Sequence, residues 1–400
     1  LPLISIRLFD LKSVIYYQGK ELLTEQSKAI TLIDLRDQID AVDKQIHSLL
    51  NKRAGLAKQV ADIKTLEAQQ NGSNDIVFYR PEREAAVLRK LMERNEGPLS
   101  NEEAARLFRE IMSACLALEQ PLKIAFLGPE GTFTQAAALK HFGHSVKTIP
   151  FSSIDQVFRE VDAEACNYGV VPIENSTEGV INYTLDLFID SPLKIVGEVS
   201  LRIHHHLMSK ANSLQEIDKV YSHQQSLAQC RDWLDTKMSC IKRIDVESNA
   251  EAARLAENDP KAAAIASSAA AEIYNLDILE ANIEDSPDNT TRFLILGKQD
   301  VEPSNTATEK DPAAFDKTSL LVSSANKPGA LYSLLTPLAN NGISMTRIES
   351  RPAQSGVWQY VFFIDIEGHA AEPLVSKAID EIKSEATLVK ILGSYPKAVL

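Results

Sequence analysis

Arg53 stands in an apolar helical register where the next aliphatic side chain belongs, and Lys64 follows it eleven residues later. At about 100° per residue the two share one helix face, with backbones about 16 Å apart at the 1.5 Å rise of an α-helix. Long cationic side chains leaning inward from that spacing could grip a small dianion. Arg36 lies one residue off the same stripe, where it could reach a partner helix. Arg53 would equally suit a polar register-setting position in a helical seam, and spacing alone does not separate the two readings.

A second set of chemistry-bearing residues is mostly neutral. Gly128-Pro-Glu-Gly-Thr-Phe-Thr134, Pro172-Ile-Glu-Asn-Ser-Thr-Glu-Gly179, Ser222-His-Gln-Gln-Ser-Leu-Ala-Gln-Cys230 and Asn289-Thr-Thr-Arg-Phe293 are polar segments at predicted strand ends. The first suits anion binding by backbone N–H groups, although a tight turn would look the same. His204-His205-His206 invites a metal reading, but strand neighbours point to opposite faces. No carboxylate or cysteine pattern completes a site, so these histidines read as structural or surface residues and no metal or cofactor is expected. His223, inside a signature segment, is better placed near a cleft.

Three kinds of element must position these groups. Leu32, Leu35, Ile39, Val42, Ile46, Leu49, Leu56, Val60 and Ile63 step by threes and fours, as a packed helical seam requires. Pro81 suits a helix start, and Ser100 with Glu103 forms a capping box for a third helix, striped by Leu107, Ile111, Cys115 and Leu118. The first helix is too long to bury its seam alone, so an all-helical dimer is expected. From Pro121 the period changes. Strands at 123–127, 168–172, 220–222 and 263–266 alternate with helical stretches, which implies an α/β region of parallel strands with its ligand at their C-terminal ends. Residues 291–296 read as its last strand. Residues 301–316 are linker-like in composition, and the βαββαβ order that follows is ferredoxin-like.

The bulk properties bound the function. Four hundred residues imply several domains. A formal charge of −13 argues against a nucleic-acid partner. Cys115, Cys166, Cys230 and Cys240 lack C-x-x-C spacing and suggest reduced thiols in a cytoplasmic protein. No run of about 18 apolar residues predicts a membrane span. Residues 1–28 lack an initiating Met and read as a tail of unclear role.

The run Leu35-Arg36-x-x-Ile39-Asp40-x-x-Asp43, then Arg53, Lys64 and Arg83-Glu84, resembles the small helical chorismate mutases. The resemblance implies a pocket of Arg36, Arg53, Lys64, Arg83, Glu84 and Glu119, with Arg36 donated across a dimer. Glu119 stands where relatives carry Gln. It follows Cys115 by four residues on the apolar stripe, so burial is expected to raise its pKa. The four polar segments, in their order, resemble prephenate dehydratase, whose two-lobed fold is similar to periplasmic binding proteins. That resemblance makes Thr291 the group that assists the departing hydroxide, with Glu174, Asn175, Ser222 or Gln229 polarising it. Arg292 would bind a carboxylate or brace the strand. Asn326-Lys-Pro-Gly-Ala-Leu-Tyr332 and Glu349-Ser-Arg-Pro352 resemble the amino-acid-binding signatures of ACT domains. They imply a phenylalanine site of Asn326, Gly329, Ala330, Leu331, Glu349, Ser350 and Arg351.

The expected organisation is therefore a tail (1–28), an all-α mutase domain (29–120), an α/β dehydratase domain (121–300), a linker (301–316) and an α+β ACT domain (317–400). The expected function is conversion of chorismate to prephenate and of prephenate to phenylpyruvate in a homodimer or larger homo-oligomer, restrained by phenylalanine, with no nucleic-acid or membrane partner. The competing readings are a non-catalytic ligand-binding regulator, or a chain in which only the dehydratase is active. Intact Thr290-Thr291-Arg292-Phe293 and the helical cations argue against the regulator.

Overall fold

The computed structural model of the chain describes residues 31–72, 77–304, 316–325, 327–352 and 360–399. The expectations for residues 1–28, for most of the 301–316 linker and for Asn326 lie outside the described residues. The chain divides into two compact units, 1–52 and 53–400.

The helical region consists of α1 (Leu32–Gln70), α2 (Pro81–Glu93) and α3 (Asn101–Glu119). Proline at the first turn of α2 loses no intrahelical hydrogen bond there, and Ser100 Oγ caps α3 by accepting from the Glu103 backbone N–H at 3.2 Å. Leu88, Leu91 and Ala105 join α2 to α3. The α1 seam is exposed: Leu35, Ile39, Val42, Ile46 and Leu49 in the first unit, Leu56, Val60 and Ile63 in the second.

The α/β region contains two sheets. In the first lobe run β1 (Lys123–Leu127), α4 (Phe133–Phe142), β2 (Lys147–Phe151), α5 (Ile154–Asp162), β3 (Tyr168–Asn175), β4 (Gly179–Val180), α6 (Asn182–Asp190) and β5 (Lys194–Arg202). The second lobe holds β6 (His206–Ser209), β7 (Lys219–Ser222), α7 (Gln224–Gln229), α8 (Arg231–Lys237), β8 (Lys242–Asp245), α9 (Asn249–Glu257), β9 (Ala262–Ala266), α10 (Ser268–Ile273) and β10 (Asp277–Glu280). The chain then returns to the first lobe as β11 (Thr290–Gly297). The sheet orders are β2-β1-β3-β11-β5 and β10-β6-β9-β7-β8. The all-parallel expectation is corrected: β11 is antiparallel to β3 and β5, and β6 is antiparallel to β9 and β10. A strand that re-enters a sheet from the other lobe can run against its neighbours, and β11 does. Amphipathic packing is clearest in α5, whose Ile154, Val157, Phe158 and Val161 bury one face at helical spacing.

The last module is β12 (Asp316–Ser323), α11 (Ala330–Asn340), β13 (Met345–Pro352), β14 (Tyr360–Glu367), α12 (Pro373–Glu385) and β15 (Leu388–Pro396), with sheet order β13-β14-β12-β15. It has the expected βαββαβ order and packs directly on the first lobe. A Cβ at Gly393 would lie 2.0 Å from the Ile195 carbonyl oxygen, so only glycine permits that approach. Leu321, Val361, Phe363, Leu392 and Tyr395 share one core with Ile173, Phe188 and Leu294. Among the described residues no helix is long and apolar enough to cross a membrane.

Candidate active sites

The two lobes enclose a cavity of about 750 Å³. Thr132, Phe133, Asn175 and Thr291 line it from the first lobe; His223, Gln229, Ser248 and Asn249 line it from the second. Both α4 and α9 start at this wall, and Thr132 and Ser248 cap them by accepting from the N–H groups of Gln135 and Glu251. The remaining first-turn N–H groups have no partner inside their helices and favour anions. None of the lining residues is lysine or arginine, whereas Glu178, Glu247 and Glu251 are present. An anion held here meets helix N-termini and side-chain donors, with no lysine or arginine in the lining.

Thr291 is buried on β11, opposite Asn175 on β3. Asn175 Nδ2 donates to Thr291 Oγ1 at 2.8 Å and to Asn289 Oδ1 at 2.8 Å. Asn289 Nδ2 in turn donates to Gln229 Oε1 at 2.9 Å, and Gln229 Nε2 donates to Glu178 Oε1 at 3.2 Å. Thr291 Oγ1 is thus an acceptor from Asn175, and among the described residues nothing accepts its own hydrogen. The chain also ties the first lobe to Gln229 of the second.

Of the four groups expected to polarise Thr291, only Asn175 touches it. Glu174 faces away because strand neighbours alternate: its carboxylate lies 3.2 Å from Arg347 Nε and 3.9 Å from Arg292 Nη1, outside the cavity lining. Ser222 is wholly buried behind the wall, with Oγ 3.0 Å from Asn249 Oδ1 and 2.9 Å from the Ile265 carbonyl oxygen. It supports Asn249. Arg292 braces the strand: it pairs with Asp365 at 2.5 Å and Glu198 at 3.1 Å, and Lys317 meets Glu198 at 2.9 Å. Removing one partner from such a buried network costs about 3–5 kcal/mol. His204, His205 and His206 have separate partners in Glu284, Gln229 and the Asn282 N–H.

In the helical region, Glu119 lies within electrostatic reach of Lys64 and Arg53, and Lys64 within reach of Arg83. Partial burial pushes the Glu119 carboxyl above its ordinary range despite the two cations. Burial likewise pulls Lys64 down, opposed by Glu119. Two of the three Lys64 hydrogens are engaged, by the carbonyl oxygens of Val77 (3.0 Å) and Phe78 (3.3 Å), leaving one for a ligand. Glu84 departs from its expected place. One position beyond Arg83, it is turned about 100° round α2, and its carboxylate lies 3.0 Å from Arg109 Nε, which holds the Lys140 carbonyl oxygen through Nη1. Burial raises the Glu84 carboxyl despite that partner. Arg36 is exposed on α1 within the first unit.

In the βαββαβ module, Gly329 caps α11 with φ +81°, a conformation that disfavours any side chain. Leu331 is exposed, Ala330 and Glu349 are half-buried, and Ser350 is exposed. Arg351 forms a two-pronged pair with Asp186 of α6 at 2.9 and 2.7 Å, which commits it to the first lobe.

Asn289 and His205, neither of them a candidate by sequence, both belong to the chain behind Thr291. Asn289 stood inside a signature segment two residues before Thr291, the one signal that could have singled it out. The histidine run offered no equivalent.

A cation-bearing helical region, a two-lobed cleft of neutral donors and a ligand-module fold, joined in one chain, define a multifunctional enzyme with an attached regulatory module. Family models match in the same order: chorismate mutase type II over residues 35–120, prephenate dehydratase over 124–301 and the ACT domain over 318–384. A bifunctional chorismate mutase/prephenate dehydratase from Pseudomonas aeruginosa is 56% identical over 368 residues, covering 92% of this chain and 98% of the relative. Among solved structures, a prephenate dehydratase from Arthrobacter aurescens in complex with L-Phe has a TM-score of 0.61 at 32% identity, over 68% of this chain and 89% of that one. A chain described as GqqA, a novel type of quorum quenching acylase, has a TM-score of 0.62 at 30% identity, over 69% of this chain and 98% of that one. The protein belongs to the bifunctional chorismate mutase/prephenate dehydratase family.

Proposed function

We propose that the helical region (29–120) rearranges chorismate to prephenate, that residues 121–300 convert prephenate to phenylpyruvate, and that residues 317–400, joined by the 301–316 linker, bind phenylalanine and restrain the second step. The rearrangement is pericyclic and needs no nucleophile. Its demand is a compact substrate conformer and stabilisation of charge on the breaking ether oxygen. Arg53, Lys64 and Arg83 supply the cations, Glu119 donates when protonated, and Arg36 serves the site of a second chain. The exposed seam of α1 supports a homodimer, since apolar surface left in water costs about 25 cal/mol per Å².

In the dehydratase step, the ring carboxylate leaves as carbon dioxide, its bonding pair becomes part of the aromatic ring, and hydroxide departs from the opposite ring carbon. Thr291 donates to that departing oxygen, and solvent supplies the proton that completes water. The observation that carries this reading is the 2.8 Å bond from Asn175 to Thr291 Oγ1, which leaves the threonine hydrogen for the cavity. A cavity without lysine or arginine suits the chemistry, because a strong ion pair to the leaving carboxylate would stabilise the ground state.

Incubating the enzyme with chorismate is expected to give transient prephenate and then phenylpyruvate, with phenylalanine suppressing only the second conversion. A folded protein that turns over neither substrate contradicts the reading. Gly329→Val strains the α11 cap and is expected to abolish suppression while turnover persists; unchanged suppression removes that site.

A further inference from the structure

Asn289 is 1% exposed, precedes β11, and bridges Asn175 to Gln229. The direction of this bridge is forced by the backbone. The N–H groups of Thr177 and Glu178 both donate to Asn175 Oδ1 at 3.0 Å. Backbone N–H groups can only donate, so Asn175 must present Nδ2 to its other neighbours. Asn289 must then meet it with Oδ1 and offer Nδ2 to Gln229, which must answer with Oε1. His205 Nε2 lies 2.9 Å from that same oxygen, so it carries a hydrogen. His205 Nδ1 is buried without a hydrogen-bond partner among the described residues, and the residue is 1% exposed at the cavity wall. Every orientation from the turn at residues 175–178 to the imidazole follows from two backbone donors.

We propose that Asn289 is a positioning residue of the dehydratase: as the relay between Asn175 and Gln229, it holds the Asn175 amide against Thr291 Oγ1 and fixes His205 in the Nε2–H tautomer. It touches no reacting atom. It acts by accepting from the Asn175 amide whose direction the backbone sets, which steadies that amide's distance and angle to Thr291 Oγ1, and by holding Gln229 of the second lobe against the first. This inference rests on the proposed role of Thr291, and its test separates the two.

Asn289→Asp replaces the Nδ2 donor by an oxygen of the same size. Gln229 must then turn its amide to donate, giving up its bond to Glu178 Oε1, and the atom facing His205 becomes a donor as well. The imidazole hydrogen is expected to move to Nδ1. Imidazole ¹⁵N shifts, assigned with a His205→Gln sample at pH 8, read this directly. Wild type is expected to show Nε2–H and Asn289→Asp to show Nδ1–H. With prephenate, kcat of Asn289→Asp is expected to fall roughly 10- to 100-fold, below the full contribution of a positioned proton donor, with KM within about threefold. Melting temperature checks that the variant is folded. An Nδ1–H signal in wild type overturns the proposal without any variant, and so does a folded Asn289→Asp with kcat within about twofold of wild type. Thr291→Ala runs beside it: full activity there refutes the threonine role itself, whatever Asn289 does.

Discussion

The helical region sets Lys64 and Arg53 within electrostatic reach of Glu119, and Arg83 within reach of Lys64, whereas the dehydratase cavity is lined by glutamates and neutral donors with no lysine or arginine. Both regions meet anionic substrates, so substrate charge alone does not explain the contrast. The reactions do. In the rearrangement charge builds on an oxygen that stays, and every cation nearby is worth more in the transition state than before it. In the dehydratase step one carboxylate must surrender its charge to the ring, and a cation bound to it would be worth less in the transition state.

The largest effect expected from this contrast is at Arg53. Arg53→Ala is expected to lower mutase kcat/KM by roughly 10²–10³, the cost of one preorganised charge-stabilising donor. Phenylpyruvate formation from supplied prephenate is expected to be unchanged. Loss of both activities in a folded variant would break the division of labour. The reverse manipulation adds a cation where none exists. Gln225 lines the cavity, and Gln225→Lys is expected to lower KM for prephenate while reducing kcat about tenfold through ground-state stabilisation. A higher kcat would mean that the neutral wall has another purpose.

The smallest effect concerns pH in the mutase. Burial raises the Glu119 carboxyl above its ordinary range, so the protonated donor survives to higher pH than a free carboxyl would allow. In the proposed mutase site, as pH climbs past that raised value Glu119 becomes an anion beside an oxygen that is gaining charge, and kcat/KM is expected to fall. Glu119→Gln keeps a donor at every pH and is expected to lose this decline. Superimposable profiles for the two proteins would remove Glu119 from the mechanism.

Much of this arrangement was legible in the sequence because segment chemistry and strand position survive without coordinates. The four polar segments and the βαββαβ order are examples. What was not legible depended on direction. Glu174 and Asn175 are neighbours with equal claim on Thr291 by composition, and only the pairing of Thr291 with Asn175, and of Arg292 with Glu174, decides which face each occupies. Glu84 shows the same limit on a helix, where one step beyond Arg83 sends it to Arg109. His205 was set aside as one of three neighbouring histidines, because no sequence pattern indicates that an amide chain ends on its imidazole.

The dehydration is proposed to rest on a neutral hydroxyl, held by an amide in a cavity lined by no lysine or arginine. Its most direct test is phenylpyruvate formation from prephenate by Thr291→Ala and Thr291→Ser, with chorismate consumption measured on the same preparations. A loss of roughly 10² or more is expected for alanine, with substantial activity for serine and unchanged mutase rates in both. A folded Thr291→Ala that makes phenylpyruvate at the wild-type rate would contradict it.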